Sequence, residues 1–123
     1  MESNKIEVGI VSQVLKLLGD ETRLTIVALL MNRDLCVCEL QEAFDKSQPA
    51  ISQHLRKLKD VGLVTEARKS QWVYYSLNKN SVFYSLIKYV TEFIPDQSDK
   101  ICQIEKSDPT RSGSLRWTPA SER

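Results

Sequence analysis

A mostly α-helical fold with one small β-hairpin, a winged helix-turn-helix, is what this sequence predicts, on three observations. Two helical segments are joined by about three residues. The second is amphipathic and carries bases on its outer face. Two short runs rich in β-branched and aromatic residues follow directly, in the position of a wing.

The first helix is expected over residues 6–18, where Ile10, Val11, Val14, Leu15, Leu17 and Leu18 make a broad apolar face. Gly19 is expected to stop it as a C-terminal glycine. Asp20 then serves as N-cap of a second helix, residues 21–31, with Leu24, Val27, Ala28 and Met31 turned to the core. A third, short helix runs from about Cys36 or Val37 to Phe44, with Asp34 as its candidate cap. Ser47-Gln48-Pro49 opens the fourth helix with a hydroxyl cap and a proline in the first turn, where a missing N–H costs nothing. Ile51, Leu55 and Leu58 form its buried stripe, and Gly62 closes it. Residues 63–68 and 72–77 read as hairpin strands with Lys69-Ser70-Gln71 between them. A last helix spans residues 82–94 and ends at Pro95. This divides the chain into a folded domain over residues 1–95 and a polar tail over 96–123, its Ser, Thr, Pro, Gly and Arg content from residue 107 on suiting a mobile segment. The first and last helices carry more apolar surface than a domain of this size can bury alone, which predicts a homodimer built through them.

The 123 residues suffice for one compact domain. No apolar run approaches the roughly 18 residues needed to span a bilayer, and the first residues lack the apolar stretch of a secretory signal. A cytoplasmic protein with no membrane partner is expected. Three cysteines, an odd number, argue for reduced thiols rather than a disulfide framework. There is neither a Gly-rich cofactor loop nor a nucleophile-and-base constellation, so no enzyme is expected.

Net charge is only +1, but six bases face two acids between Lys46 and Gln71, a local balance of +4. Opposite the buried stripe, the fourth helix shows Gln48, Ser52, Gln53, Arg56, Lys57 and Lys59. Gln pairs with adenine, Arg with guanine, and Ser and Lys hold phosphates. Residues near the helix start, Ser47, Gln48, Ser52 and Gln53, are those that such a helix pushes deepest into the major groove of double-stranded DNA. His54, the only histidine, lies among them as a further candidate contact. Arg68, Lys69 and Gln71 at the wing tip suit the flanking backbone or minor groove.

Cys36-Val-Cys38 is the other constellation. Two residues apart, the thiols cannot share a face of a regular helix, but they can converge where a helix begins and the chain is still extended. Free N–H groups there are expected to lower the thiol pKa. Soft thiolates select thiophilic ions. Without a third local Cys, His or Asp, a closed tetrahedral zinc site is disfavoured, and a centre satisfied by two or three sulfurs, such as As(III) or Sb(III), fits better. Oxidation of the pair is the competing functional reading, and burial as small hydrophobes the bland one. Cys102 is a candidate third sulfur donor, in cis or across a dimer.

Leu17-Leu-Gly-Asp-Glu-Thr-Arg-Leu24, Asp34-Leu-Cys-Val-Cys-Glu-Leu40, Ser47-Gln-Pro-Ala-Ile-Ser-Gln-His-Leu55 and Trp72-Val-Tyr-Tyr75 together resemble the ArsR/SmtB family of metal-responsive repressors, above all its arsenic-responsive members. The resemblance runs from about residue 14 to 77. It implies a homodimeric repressor of an arsenic-resistance operon that binds operator DNA without a cofactor and is released by arsenite or antimonite. The Cys-Val-Cys of the family motif falls on Cys36 and Cys38. Where many arsenic-responsive members have a further cysteine, this chain has Gln41, which leaves Cys102, a solvent ligand or a small thiol as third donor. The histidine ligands of zinc-sensing relatives have no counterpart in residues 82–94, and Ser70 stands where glycine is frequent in the wing.

Overall fold

A computed structural model describes residues 5–107 of the chain. Among these residues six helices and three strands follow in the order α1 (Val8–Leu18), α2 (Glu21–Leu30), β1 (Leu35–Cys36), α3 (Val37–Phe44), α4 (Gln48–Asp60), β2 (Val64–Lys69), β3 (Trp72–Leu77), α5 (Tyr84–Thr91) and α6 (Ser98–Ser107). Helices α3 and α4 with the β2–β3 hairpin behind them are the winged helix-turn-helix.

Helix α2 is the hub of the core. Asp20 caps it, its carboxylate accepting the Arg23 N–H at 3.0 Å. Its second half is buried on every side: Ile26, Val27, Ala28, Leu29 and Leu30 are all inside. The four residues expected to face the core do so, but they are not the whole of it. Val27 and Ala28 are core residues as expected, Leu24 and Met31 sit half-buried at its edge, and Ile26, Leu29 and Leu30 complete it. A helix surrounded by α1, α4, α5, α6 and β3 has no solvent side to mark with polar residues.

The two helix-closing glycines differ. Gly62 has φ +79, with its N–H on the Lys59 carbonyl and the Leu63 N–H on that of Leu58. This is the double closure of a Schellman turn, sealed by the buried pair Leu58 and Leu63. Gly19 stops α1 as expected, but in a right-handed conformation at φ −74. An alanine at Gly62 meets no atom within 4 Å. The Gly62→Ala protein is accordingly expected to lose about 1–2 kcal/mol through backbone strain alone, read as a lower urea midpoint at unchanged slope.

Between α3 and α4, Asp45 takes a left-handed φ of 53, which Asp tolerates better than most residues, and so turns the chain sharply. Ser47 then caps α4, its hydroxyl accepting the Ala50 N–H at 3.3 Å, and Ile51, Leu55 and Leu58 are buried as the spacing predicts.

The sheet has the order β1-β3-β2, antiparallel throughout. Lys69 pairs with Trp72, so the hairpin turn has only two residues, Ser70 and Gln71, rather than three. Ser70 at φ 59 supplies the positive φ that such turns need. The two-residue strand β1, not anticipated, sets Leu35 opposite Tyr75 and Cys36 opposite Tyr74.

The last expected helix is shortened to Tyr84–Thr91, and residues 98–107, expected within the polar tail, form α6. Ile104 is buried, Ile101 packs on the core, and Lys100 lies 6.0 Å from the Phe44 ring centroid, so α6 braces α3. Structured chain thus continues past residue 95. The rest of the expected mobile tail, from residue 108, lies outside the described residues. Val8 and Leu15 on α1, with Val82, Tyr89 and Phe93 in and around α5, leave large apolar surface exposed.

Candidate nucleic-acid interface and thiol site

The outer face of α4 presents Gln48, Gln53, Arg56, Lys57 and Lys59 to solvent, with Ser52 half-buried beside them. Ser47 is exposed but engaged as the cap. Arg68, Lys69 and Gln71 are exposed at the wing tip. Lys59 is ion-paired at 3.1 Å with Glu66 on β2, which ties the end of α4 to the wing. Hydrogen bonds from Lys59 and from Tyr75 hold the Glu66 carboxyl below its usual range. Burial and the bond to Glu66 push the Tyr75 hydroxyl up to about 12. Neither Glu66 nor Tyr75 carries a sequence signal for this role, because it depends on the cross-strand register.

His54 is not presented with the outward residues. Its Nδ1 accepts from Arg23 Nη1 at 3.1 Å and lies 4.0 Å from the Asp20 carboxylate, while Arg23 Nε donates to the Leu17 carbonyl at 2.7 Å. A polar knot thus ties the ends of α1 and α2 to α4. Burial first, then the Arg23, Lys57 and Lys46 charges, lower the His54 pKa against the opposing pull of Asp20. A histidine whose folded pKa is depressed stabilises fully above its unfolded value of about 6.5, and that contribution is lost as pH falls through the folded value. The urea midpoint of the native protein should therefore fall as pH drops below about 6.5, with a flatter dependence in His54→Gln. Equal slopes in the two proteins would contradict the knot.

The thiols converge as their position at a helix start requires. Cys36 is the N-cap residue of α3 in extended backbone, Cys38 lies in the first turn, and their Sγ atoms are 3.1 Å apart. Cys36 is buried and Cys38 half-buried. The cap is not Asp34. Glu39 reaches back to accept the Cys36 N–H at 3.0 Å, the distance in sequence at which a capping glutamate acts. Glu39 is itself buried and ion-paired with Arg33 at 3.1 Å. The hydrogen bond with Cys38, then burial, then the Glu39 charge push the Cys36 thiol well above its usual range. For Cys36 this corrects the expectation of a lowered pKa: the hydrogen bond with Cys38, burial and the neighbouring carboxylate outweigh the helix terminus.

Two sulfurs on a tetrahedral zinc with bonds of about 2.3 Å would stand about 3.8 Å apart. The 3.1 Å here is that of a thiol–thiol hydrogen bond and brings both sulfurs within reach of one ion. Cys102 is exposed on α6, and among the described residues no group of three Cys, His, Asp or Glu is gathered as a metal would need. The thiols open into a cleft of about 280 Å³ walled by Val37, Gln48, Gln71, Trp72 and Val73. One cleft thus joins both cysteines, the first residue of α4 and the turn of the wing.

A helix-turn-helix with a basic outer face, a wing and a thiol pair beneath them define the class of a winged-helix regulator. Residues 20–66 match the model of the bacterial regulatory protein arsR family. The arsenical resistance operon repressor of Escherichia coli K12 is 49% identical over 67 residues, 54% of this chain and 57% of the relative. That of Staphylococcus aureus is 34% identical over 96 residues, 78% of this chain and 91% of the relative. Among solved structures, HlyU from Vibrio cholerae N16961 superposes with a TM-score of 0.64 at 33% identity, covering 76% of this chain and 98% of that one. The chain belongs to the arsR family. It spans a little over half the length of the Escherichia coli relative.

Proposed function

We propose that the protein is a transcriptional repressor of an arsenical-resistance operon, a cytoplasmic homodimer that leaves its operator when As(III) or Sb(III) binds Cys36 and Cys38. The observation that carries this reading is the shared cleft, in which two sulfurs 3.1 Å apart face Gln48 of α4 and Gln71 of the wing. Relatives described as arsenical resistance operon repressors support the inducer class. The exposed apolar residues of α1 and the α5 region support a two-fold partner, as pairing of two reading helices on a palindrome demands. Among the described residues no helix is long and apolar enough to cross a membrane.

The mechanism follows from what Cys36 is attached to. Its backbone belongs to β1, paired with the wing strand β3, and it is the N-cap residue of α3, which packs on α4. Replacing the thiol–thiol hydrogen bond by bonds to one ion changes the packing at this junction and displaces both the reading helix and the wing. Half-sites about 34 Å apart tolerate little misplacement. A coupling of about 3 kcal/mol suffices to weaken operator binding around 150-fold.

The test is DNA-binding anisotropy on the region upstream of the protein's own gene, with arsenite titrated under a phosphine reductant. Release by arsenite and not by zinc is expected; binding that ignores arsenite overturns the inducer assignment and leaves the repressor. The 3.1 Å approach also favours a second reading, in which an oxidant removes two electrons and two protons from the pair to form a disulfide. Release by a mild oxidant with no response to arsenite would select it. For DNA contact, Arg56→Ala is expected to lose about 1–3 kcal/mol of operator affinity with or without arsenite. Unchanged affinity would remove Arg56 from the interface.

A further inference from the structure

We propose that the cleft beside Cys36 and Cys38 houses a low-molecular-weight thiol, so that the inducer is bound as a mixed thiolate of trivalent arsenic: two sulfurs from the protein and one from the small molecule. The inference rests on the arsenic reading above. Trivalent arsenic forms three bonds, and the described residues offer two sulfurs at this place; Cys102 is exposed on α6 and not gathered with them. A hydroxyl would complete the valence, but it leaves the cleft almost entirely to solvent. The cleft measures about 280 Å³ and is open to solvent on one side, so a small organic group can enter it.

Its walls describe a larger occupant. Val37, Trp72 and Val73 offer apolar surface for the carbon skeleton of a thiol, and Trp72 and Val73 are only partly covered by the rest of the chain. The amides of Gln48 and Gln71 can hydrogen-bond polar groups such as the carboxylate of an amino-acid thiol. The exchange balances without redox chemistry. A thiol-bearing arsenite, RS–As(OH)2, reacts with the two Cys S–H groups to form two As–S bonds and release two waters. The third As–S bond and the oxidation state of arsenic are unchanged. The retained thiol then lies between the start of α4 and the wing, so its bulk presses on the two elements that face DNA.

The test uses the full chain carrying Cys102→Ser, so that a third sulfur has to come from outside the protein, with a phosphine as the only other reductant. Arsenite is added with and without excess L-cysteine. Arsenic-edge X-ray absorption reads the donor atoms, and native mass spectrometry reads the mass bound. With L-cysteine, three sulfurs around arsenic and one thiol per arsenic are expected; without it, two sulfurs and one oxygen. Val73→Phe, which narrows the cleft, is expected to keep arsenic and give two sulfurs and one oxygen even in excess thiol. Two sulfurs and one oxygen with no retained thiol in the Cys102→Ser protein would overturn the proposal. Thiol retained equally by Val73→Phe would overturn its placement in the cleft. Failure to take up arsenic under either condition would instead overturn the arsenic reading.

Discussion

Cys36→Ser and Cys38→Ser should each bind the operator as the native protein does and fail to release it when arsenite is added. The structure separates the two properties. What Cys36 gives to the fold is mostly main chain: its pairing with Tyr74 across β1–β3 and its N–H on Glu39. Serine keeps both, and as a helix N-cap it is a better residue than cysteine, which offsets the burial of a hydroxyl. Cys38 is only half-buried, so the loss there is smaller. A hydroxyl, however, does not replace a soft thiolate donor toward arsenic. Anisotropy titrations should therefore show near-native affinity without inducer and loss of the whole modulation of around 150-fold. Either mutant failing to bind DNA in the absence of arsenite would mean that the thiols are packing elements. Either one responding like the native protein would remove it from the sensor.

Glu39→Ala should destabilise the fold by about 3–5 kcal/mol, a large part of the 5–15 kcal/mol that a domain of this kind possesses. The Glu39 and Arg33 side chains are 7% and 9% exposed, and their ion pair spans 3.1 Å. Truncating Glu39 takes the carboxylate from a guanidinium in a water-poor site, leaving it a neutral acceptor at the Asp34 carbonyl, and deprives the Cys36 N–H of its acceptor. Glu39→Gln keeps the acceptor and removes the charge, so its loss should be smaller. Replacing Arg33 and Glu39 together by methionine should be milder still, because no charge is left without a partner. Chemical denaturation of these proteins orders the three effects, and a loss below about 1 kcal/mol in Glu39→Ala would mean that water reaches the pair.

Helix α4 was legible in the sequence because its signals are local: a hydroxyl cap, a proline, a period of 3.6 and a closing glycine. Helix α2 was legible as an element with Leu24, Val27, Ala28 and Met31 on the core, but Ile26, Leu29 and Leu30 escaped, because burial on all sides erases the contrast on which periodicity depends. Strand β1 is two residues long, too short to show alternation, and it exists only because β3 lies beside it. Helix α6 is polar overall and has few apolar anchors, among them Ile101 and Ile104, so its composition resembled a tail. At the site, the convergence of Cys36 and Cys38 followed from spacing alone. The Arg33–Glu39 pair did not, although the glutamate three residues after Cys36 has the spacing of a capping box with cysteine in place of serine. His54 looked like a DNA contact by its neighbours in sequence; its direction depends on Arg23, 31 residues away. The cleft was invisible, since Trp72 and Val73 meet the cysteines only through the sheet.

The attachment of Cys36 to both a strand and a helix has a bearing on reprogramming this protein for other ligands. On the function proposed above, relocating the thiols would detach recognition from its output, because the backbone of Leu35 and Cys36 joins the wing strand β3 to α3, which packs on the reading helix α4. Val37 and Val73, by contrast, line the same cleft without belonging to the polar face of α4. A library that randomises those two positions and holds the joint fixed would vary what the sensor admits while leaving intact the transmission of its signal.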